Sequence, residues 1–415
     1  MTDAGPDRES ATTAPGPQDD GTPPGSGGTP EWFDRATGVG RGTLHALVVP
    51  TLALLLALVV GAVIIMVTDV DAWRLMGEDP GAALGEMING VWVAYRALFL
   101  GAFGSVRAIS ETLFTATPLI LAGLAVALGF RAGLFNIGAR GQMFIGGLFA
   151  VWVALHVELP SLLHVPLALL AAIVGGGIWG GLAGILKART GAHEVITTIM
   201  LNFIAAFFTL WVLKTSVFQE EGSNLPQSAP IPETARLTPI FGDQYRVNIG
   251  LFIAIGAVFF VHWLLFRSTL GFEFRAAGFS PSASRYAGMN VALLYTLVMF
   301  ISGALAGLAG ATMTLGLPPY TVTSNFPGTI GFDAIALALL GRSHPFGVLW
   351  SGLLFGALIA GGRAMQGAAG VSVDLVIVMQ ALIIIFIAAP KLVRAVFRLK
   401  AAETEPTQLT KGWGA

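Results

Sequence analysis

Four polar clusters interrupt an otherwise apolar chain, and they hold most of the side chains able to do chemistry. The first is residues 133–142, Gly-Leu-Phe-Asn-Ile-Gly-Ala-Arg-Gly-Gln, between the apolar runs 113–130 and 143–155. Glycines, amides and a guanidinium at or near membrane depth are costly unless protein or a water-filled cavity solvates them. The insert therefore marks a pathway for a polar solute, with Phe135, Asn136 and Gln142 as path or gate residues. In the second cluster Glu194, Thr198 and Asn202 follow i, i+4, i+8 spacing and share one helix face, with Thr197 beside it. Two readings stay open there. Either the face borders the path, or Glu194 complements a helix N-terminus, the threonines bond back one turn and Asn202 holds helices together.

The third cluster, 271–290, mixes Phe272, Phe274, Phe279 and Tyr286 with Arg275, Gly278, Arg285 and Gly288. Ser280-Pro281 reads as an N-cap and first-turn proline, predicting a short helix over 282–287. So many aromatics in a loop point to a docking surface for a cytoplasmic partner. In the fourth, Asp333 opens a short apolar run, 331–341, that ends in Gly-Arg-Ser-His-Pro. An ionisable residue in an intramembrane half-helix is a functional candidate by default.

Enzyme chemistry is poorly provided for. No phosphate loop of the Gly-x-x-x-x-Gly-Lys type is present, nor a His-Glu-x-x-His pair, nor a Gly-x-Ser-x-Gly elbow. The six histidines are scattered, and His156 and His164 flank a short external hairpin as interfacial decoration. The chain holds no cysteine, so it forms no disulfide and no thiolate metal site. No cofactor is expected.

These clusters must be positioned by helices in a bilayer. Apolar residues make up 54% of the chain and charged residues 11%, with a mean hydropathy of +0.75. Soluble domains carry about 25% charged residues, so the composition predicts an all-α polytopic membrane protein. The 53 glycines suit close helix packing in lipid, and a net charge of −1 argues against nucleic acid as a partner. Residues 1–40 lack the apolar side chains to offset chain entropy and read as a cytoplasmic tail, as do 401–415. Apolar runs at 44–68, 112–130, 142–158, 163–186, 195–216, 248–266, 291–314, 345–362 and 373–390 are each near the length that crosses a bilayer. Basic residues gather before the first run and after the last, which places both termini in the cytoplasm and requires an even number of crossings. The short run 331–341, preceded by Asn325, Pro327 and Gly328, supplies the tenth as a broken helix. The transmembrane body is thus 41–400, with 130–141, 187–194, 267–290 and 341–345 as cytoplasmic loops. Residues 91–103, broken by Arg96, read as interfacial. Leu-Ala-Gly-Leu-Ala occurs at both 121–125 and 305–309, which leaves open two loosely repeated halves.

Together the clusters resemble the inner-membrane permease family of ATP-binding-cassette importers for simple sugars and nucleosides, specifically the longer of two paired nucleoside permeases. Residues 133–142 are similar to its Gly-Leu-Phe-Asn-Ile-Gly-x-x-Gly-Gln signature, 194–202 to its Glu-Val-Ile-Thr-Thr-Ile-Met-Leu-Asn stretch, and 331–347 to its C-terminal block. The sequence departs from the pattern at Arg140, where the family usually has Glu, and at His193, where it usually has Asn. The resemblance implies a multi-pass protein of the bacterial plasma membrane and no ATPase activity of its own. It implies a cytoplasmic ATPase that binds the ATP, a second homologous permease chain and an extracytoplasmic substrate-binding lipoprotein. The 271–290 segment, through Phe274, Arg275, Gly278, Ser280, Arg285, Tyr286 and Gly288, is then the ATPase-coupling loop. Ribose or another simple sugar is the alternative solute. A stand-alone ion-coupled transporter using Asp333 and Glu194 is the alternative mechanism.

Overall fold

The computed structural model describes residues 41–389 apart from 221, 223, 224, 243 and 324, together with 392, 393, 396 and 397. The expected tails, 1–40 and 401–415, lie outside the described residues. The chain divides between Val48 and Val49. Of the first unit only the opening turns of one helix are described, and the account below concerns the second.

Fourteen α-helices are described: α1 Arg41–Thr68, α2 Val70–Leu75, α3 Pro80–Phe103, α4 Val106–Arg131, α5 Ala139–His156, α6 Ser161–Thr190, α7 Glu194–Val212, α8 Gly250–Arg267, α9 Thr269–Phe279, α10 Pro281–Tyr286, α11 Val291–Gly316, α12 Ile330–Leu340, α13 Pro345–Ala369 and α14 Val373–Ala388. Seven of them (α1, α4, α6, α7, α8, α11 and α13) are long and apolar enough to cross a membrane. α5 has 18 residues with a polar start, and α12 and α14 are shorter. Among the described residues β pairing is limited to isolated bridges, Gln227 with Thr323 and Pro239 with Asn248.

α4 is the axis of the bundle. Every residue from Thr115 to Gly129 is buried, as expected of a helix apolar on all sides and enclosed by others. α8, α11, α12 and α13 pack around it through one shared core. On the flank, α6 crosses α11 along a stripe of glycines. A Cβ at Gly303 would strike the carbonyl oxygen of Gly176, and one at Gly180 the carbonyl of Met299. Such contact between backbones is how small residues hold helices together where lipid removes the hydrophobic drive. α7 turns Ile196, Met200, Phe203, Phe207 and Trp211 outward and buries Glu194, Thr198, Asn202, Ala205 and Thr209. That pattern is polar inside and apolar outside, the arrangement a lipid-facing helix requires.

Three expectations change. Residues 91–103, read as interfacial, form the second half of the 24-residue α3, which crosses α13 where Gly101 meets Gly361 and Ala364. Arg96 interrupts the apolar run without interrupting the helix. The 267–290 segment is almost wholly helical, with α9 added ahead of the expected α10. His164 is not surface decoration: it is 1% exposed and its Nδ1 lies 3.0 Å from the Thr234 hydroxyl.

The glycine crossing gives a direct test. Gly303→Val should abolish a monodisperse, heat-stable protein in detergent. Gly85→Ala, on an exposed helical position with nothing near its Cβ, should match or exceed the native melting temperature, because alanine is the better helix former by about 1 kcal/mol.

Candidate functional site

The 133–142 insert is irregular backbone deep inside the bundle. Asn136 donates from Nδ2 to Ser302 Oγ at 2.7 Å and to Gln142 Oε1 at 3.0 Å. Its Oδ1 accepts the Gly138 N–H at 2.9 Å and Gln142 Nε2 at 3.2 Å. Ser302 Oγ in turn donates to the Ala125 carbonyl at 2.6 Å. Asn202 closes the other side, accepting the Gly141 N–H at 2.8 Å and donating to the Ile137 carbonyl at 2.9 Å. Asn136 and Ser302 are 0% exposed and Gln142 1%. Asn136 and Asn202 thus satisfy backbone groups that helix geometry no longer provides for, and Gln142 holds Asn136 in place.

The depth of this network corrects the expected topology. Ser302 sits near the middle of the 26-residue α11, roughly 17 Å from its start at 1.5 Å per residue. Gln142 Nε2 lies against Gly180, well inside the 30-residue α6. From Leu134 onward the segment is thus no surface loop. It re-enters the bundle, and α5 starts at mid-depth. α12 does the same from the other side: Gly331, at its head, packs on the Arg140 backbone, while its tail ends beside Gly347. Two half-helices meet head to head.

The remaining path candidates fall into place around this point. The Thr198 hydroxyl donates to the Glu194 carbonyl at 2.7 Å and Thr197 to His193 at 3.1 Å, so both threonines bond back one turn. Glu194 pairs with Lys187 at 2.8 Å. Phe135 packs against Phe130 with ring centroids 4.7 Å apart and the rings tilted by 39°. Asp333 accepts from the Thr329 hydroxyl at 2.8 Å. The guanidinium of Arg140 lies 5.7 Å from the ring centres of both Phe144 and Phe332.

On one side of the network, α9 and α10 form a short helix pair. Ser280 caps α10 by accepting the Ala283 N–H, as its sequence predicts. Phe272, Phe279 and Tyr286 are exposed, the last at 96%. Phe274 is not part of that surface: it is 0% exposed and belongs to the central core. Arg275 lies over the Phe266 ring, while Arg285 and Gly288 are exposed. Gly278 rests directly on Ala132 and Gly133, where a Cβ would come within 2.6 Å of the Ala132 carbonyl carbon. Gly133 has φ +69°, a conformation glycine adopts without strain. Arg131 completes the joint by donating to the carbonyls of Ser343 and Arg342, two residues at φ +51°. The pKa of His344 beside them is lowered by burial, then by Arg131 and His262.

On the opposite side of the network a cavity of about 80 Å³ opens between α4, α8, α11, α12 and α13. Its polar lining includes Thr115, Thr117, Asn248, Thr312 and Arg363. None of these was picked out from sequence. The available signal was Arg363, a charge inside an apolar run.

Residues 108–388 match the family model described as branched-chain amino acid transport system / permease component. Among similar proteins, a guanosine ABC transporter permease of Bacillus subtilis is 39% identical over 357 residues, 85% of this chain and 96% of the relative. A nucleoside ABC transporter permease of Lactococcus lactis is 38% identical over 348 residues, 80% of this chain and 94% of the relative. A glucose ABC transporter permease of Haloferax volcanii is 36% identical over 347 residues, 81% of this chain and 86% of the relative. No solved structure matches.

Removing one member of the buried network strands the others. Asn136→Ala should lower stability by about 1–3 kcal/mol for each buried group left unpaired. Gln142→Ala combined with it should cost much less than the sum of the two single changes. Thermal unfolding of the four proteins in detergent measures this coupling.

Proposed function

This chain belongs to the branched-chain amino acid transport system permease-component family, and we propose that it is a transmembrane subunit of an ATP-driven importer for nucleosides. The observation that carries the solute is the 39% identity across nearly the whole length of a guanosine permease, with a second nucleoside permease at 38%. The glucose permease at 36% supports the runner-up, a simple sugar. The two readings share one chemistry, since a nucleoside carries a hydroxylated ring. The subunit sits in the bacterial plasma membrane with both termini in the cytoplasm.

The transport cycle is alternating access, driven by a separate ATPase that docks on the exposed aromatics of α9 and α10. Closure of the ATPase pushes α9, and the Gly278–Gly133 contact delivers that push to the re-entrant insert. Asn136, Gln142, Asn202 and Ser302 move as one block, because their hydrogen bonds join α5, α7 and α11, and Thr198 moves with it as part of α7. That block is the inner gate, and Glu194 with Lys187 fastens its cytoplasmic end. Asp333 at the head of α12 and Phe135 at the edge of the insert border the path. A second homologous permease and an extracytoplasmic binding lipoprotein complete the assembly, with lipid around it.

Two outcomes check this. In vesicles holding the full assembly, nucleoside uptake should require ATP and persist when ion gradients are collapsed; gradient-driven uptake without the ATPase overturns the reading in favour of a secondary transporter. Phe279→Ala with Tyr286→Ala should sharply reduce co-purification of the ATPase while leaving the melting temperature of the isolated chain unchanged, since both side chains are exposed.

A further inference from the structure

The cavity at the head of α12 has a lining that the inner network lacks: polar groups with unused hydrogen-bonding capacity. Thr115 is 8% exposed and its hydroxyl is buried without a partner, a state that a hydrogen-bonding ligand would relieve. Thr117 and Thr312 each donate to a helix carbonyl, Leu113 and Ala309, which leaves their lone pairs to accept. Asn248 uses Oδ1 on the Gly250 N–H at 2.9 Å, but its Nδ2 finds only carbonyls at 3.5 Å. Thr115, Thr117, Asn248 and Thr312 all line this one cavity. One free hydroxyl, two acceptors and one under-used donor thus gather on one small volume. The other half of the lining is apolar, with Phe114, Pro118, Met313 and Ile330.

Arg363 is the single charged side chain in the lining, and it shares one carboxylate with Arg246. The Glu111 carboxylate lies 4.0 Å from Arg363 and 3.3 Å from Arg246. No other Lys, Arg, Asp or Glu is in the lining. A doubly charged phosphate finds no set of cations here, whereas vicinal hydroxyls, which both donate and accept, match the four polar groups. A sugar ring also carries apolar CH faces for the Phe114 and Met313 side.

We propose that this cavity is the outer holding site for the hydroxylated ring of an uncharged solute, the ribose of a nucleoside, and that it rejects the phosphorylated form. The proposal rests on the importer reading above and adds the solute's position and charge. At about 80 Å³ the site has room for two or three waters, so the conformation described is the one closed to solute. The site widens when the outer ends of the helices part, as alternating access requires. Its floor is the head of α12, and beneath that lies the locked network.

The chain has no native cysteine, so a single introduced thiol reports on its own position. Thr312→Cys, in the complete assembly in right-side-out vesicles, should react with a membrane-impermeant methanethiosulfonate. Inosine or ribose should slow that reaction severalfold, and inosine monophosphate should not. Ala125→Cys, packed in the core below the site, should stay unreactive. As a second arm, Thr115→Val should raise the transport KM severalfold with little change in maximal rate. A Thr312→Cys thiol that is unreactive, or reacts equally with and without inosine, overturns the proposal, as does equal protection by the nucleotide or an unchanged KM in Thr115→Val. Protection by inosine in vesicles whose uptake ignores ATP upholds the site and removes the importer reading instead. Loss of protection with ATP-dependent uptake intact removes the site alone.

Discussion

Irregular backbone in the middle of a bundle must find every hydrogen bond within the protein, and the 133–142 insert meets that demand with three amides and a serine. Asn136 uses both its amide nitrogen and its carbonyl oxygen. Asn202 holds the two backbone groups on the far side. Nothing in water competes for these groups, so each bond keeps more of its intrinsic strength than a surface bond does, and each loss leaves a buried orphan. The start of α5 and the packing of α7 and α11 follow from this one knot.

The knot also determines how force can travel. α4 is enclosed on all sides, and α6 and α11 touch backbone to backbone through Gly176, Gly180 and Gly303. Those contacts leave no compliant side chains between the elements, so displacement at one end is passed on rather than absorbed. The Gly278–Gly133 contact has the same character, and it is where the α9–α10 pair meets the insert. A bulky residue at either position would separate the very surfaces that have to move together. The side of the bundle beyond the network is different, with a cavity and half-used polar groups. The inner half is therefore the mechanical part, and the outer half has the free chemistry.

What the sequence revealed divides along the same line. The i, i+4, i+8 stripe of Glu194, Thr198 and Asn202 was legible because helix periodicity alone places them on one face, and the structure buries that face. The Ser280-Pro281 cap and the broken helix at α12 were legible because local chemistry specifies them. The depth of the insert was not, because hydropathy measures how apolar a stretch is and says nothing about a loop folding back inside. Ser302 carries no local mark; its role depends on Ala125 and Asn136, both far away in the chain. Phe274 was misassigned to the docking surface because an aromatic in a polar segment has no signature for burial until α9 exists. Residues 91–103 were misjudged because one arginine lowers a hydropathy average far more than it disturbs a helix.

Arg140 shows how a departure from a family pattern is accommodated. It stands where the heads of α5 and α12 meet, and both helix N-termini present positive ends there. A glutamate, the usual residue of the family pattern, is favoured by that field, whereas a guanidinium is opposed by it. Among the described residues no carboxylate forms an ion pair with Arg140. Its stabilisation comes from the faces of Phe144 and Phe332, each worth about 0.5–1 kcal/mol at an exposed site and more when desolvated. Phe332 belongs to α12 and Phe144 to α5, so the cation bridges two half-helices that its own charge and their dipoles push apart. A joint balanced in this way separates more easily than one sealed by a carboxylate. Any motion that parts α12 from α5 therefore acts first on the Arg140 side chain that bridges them.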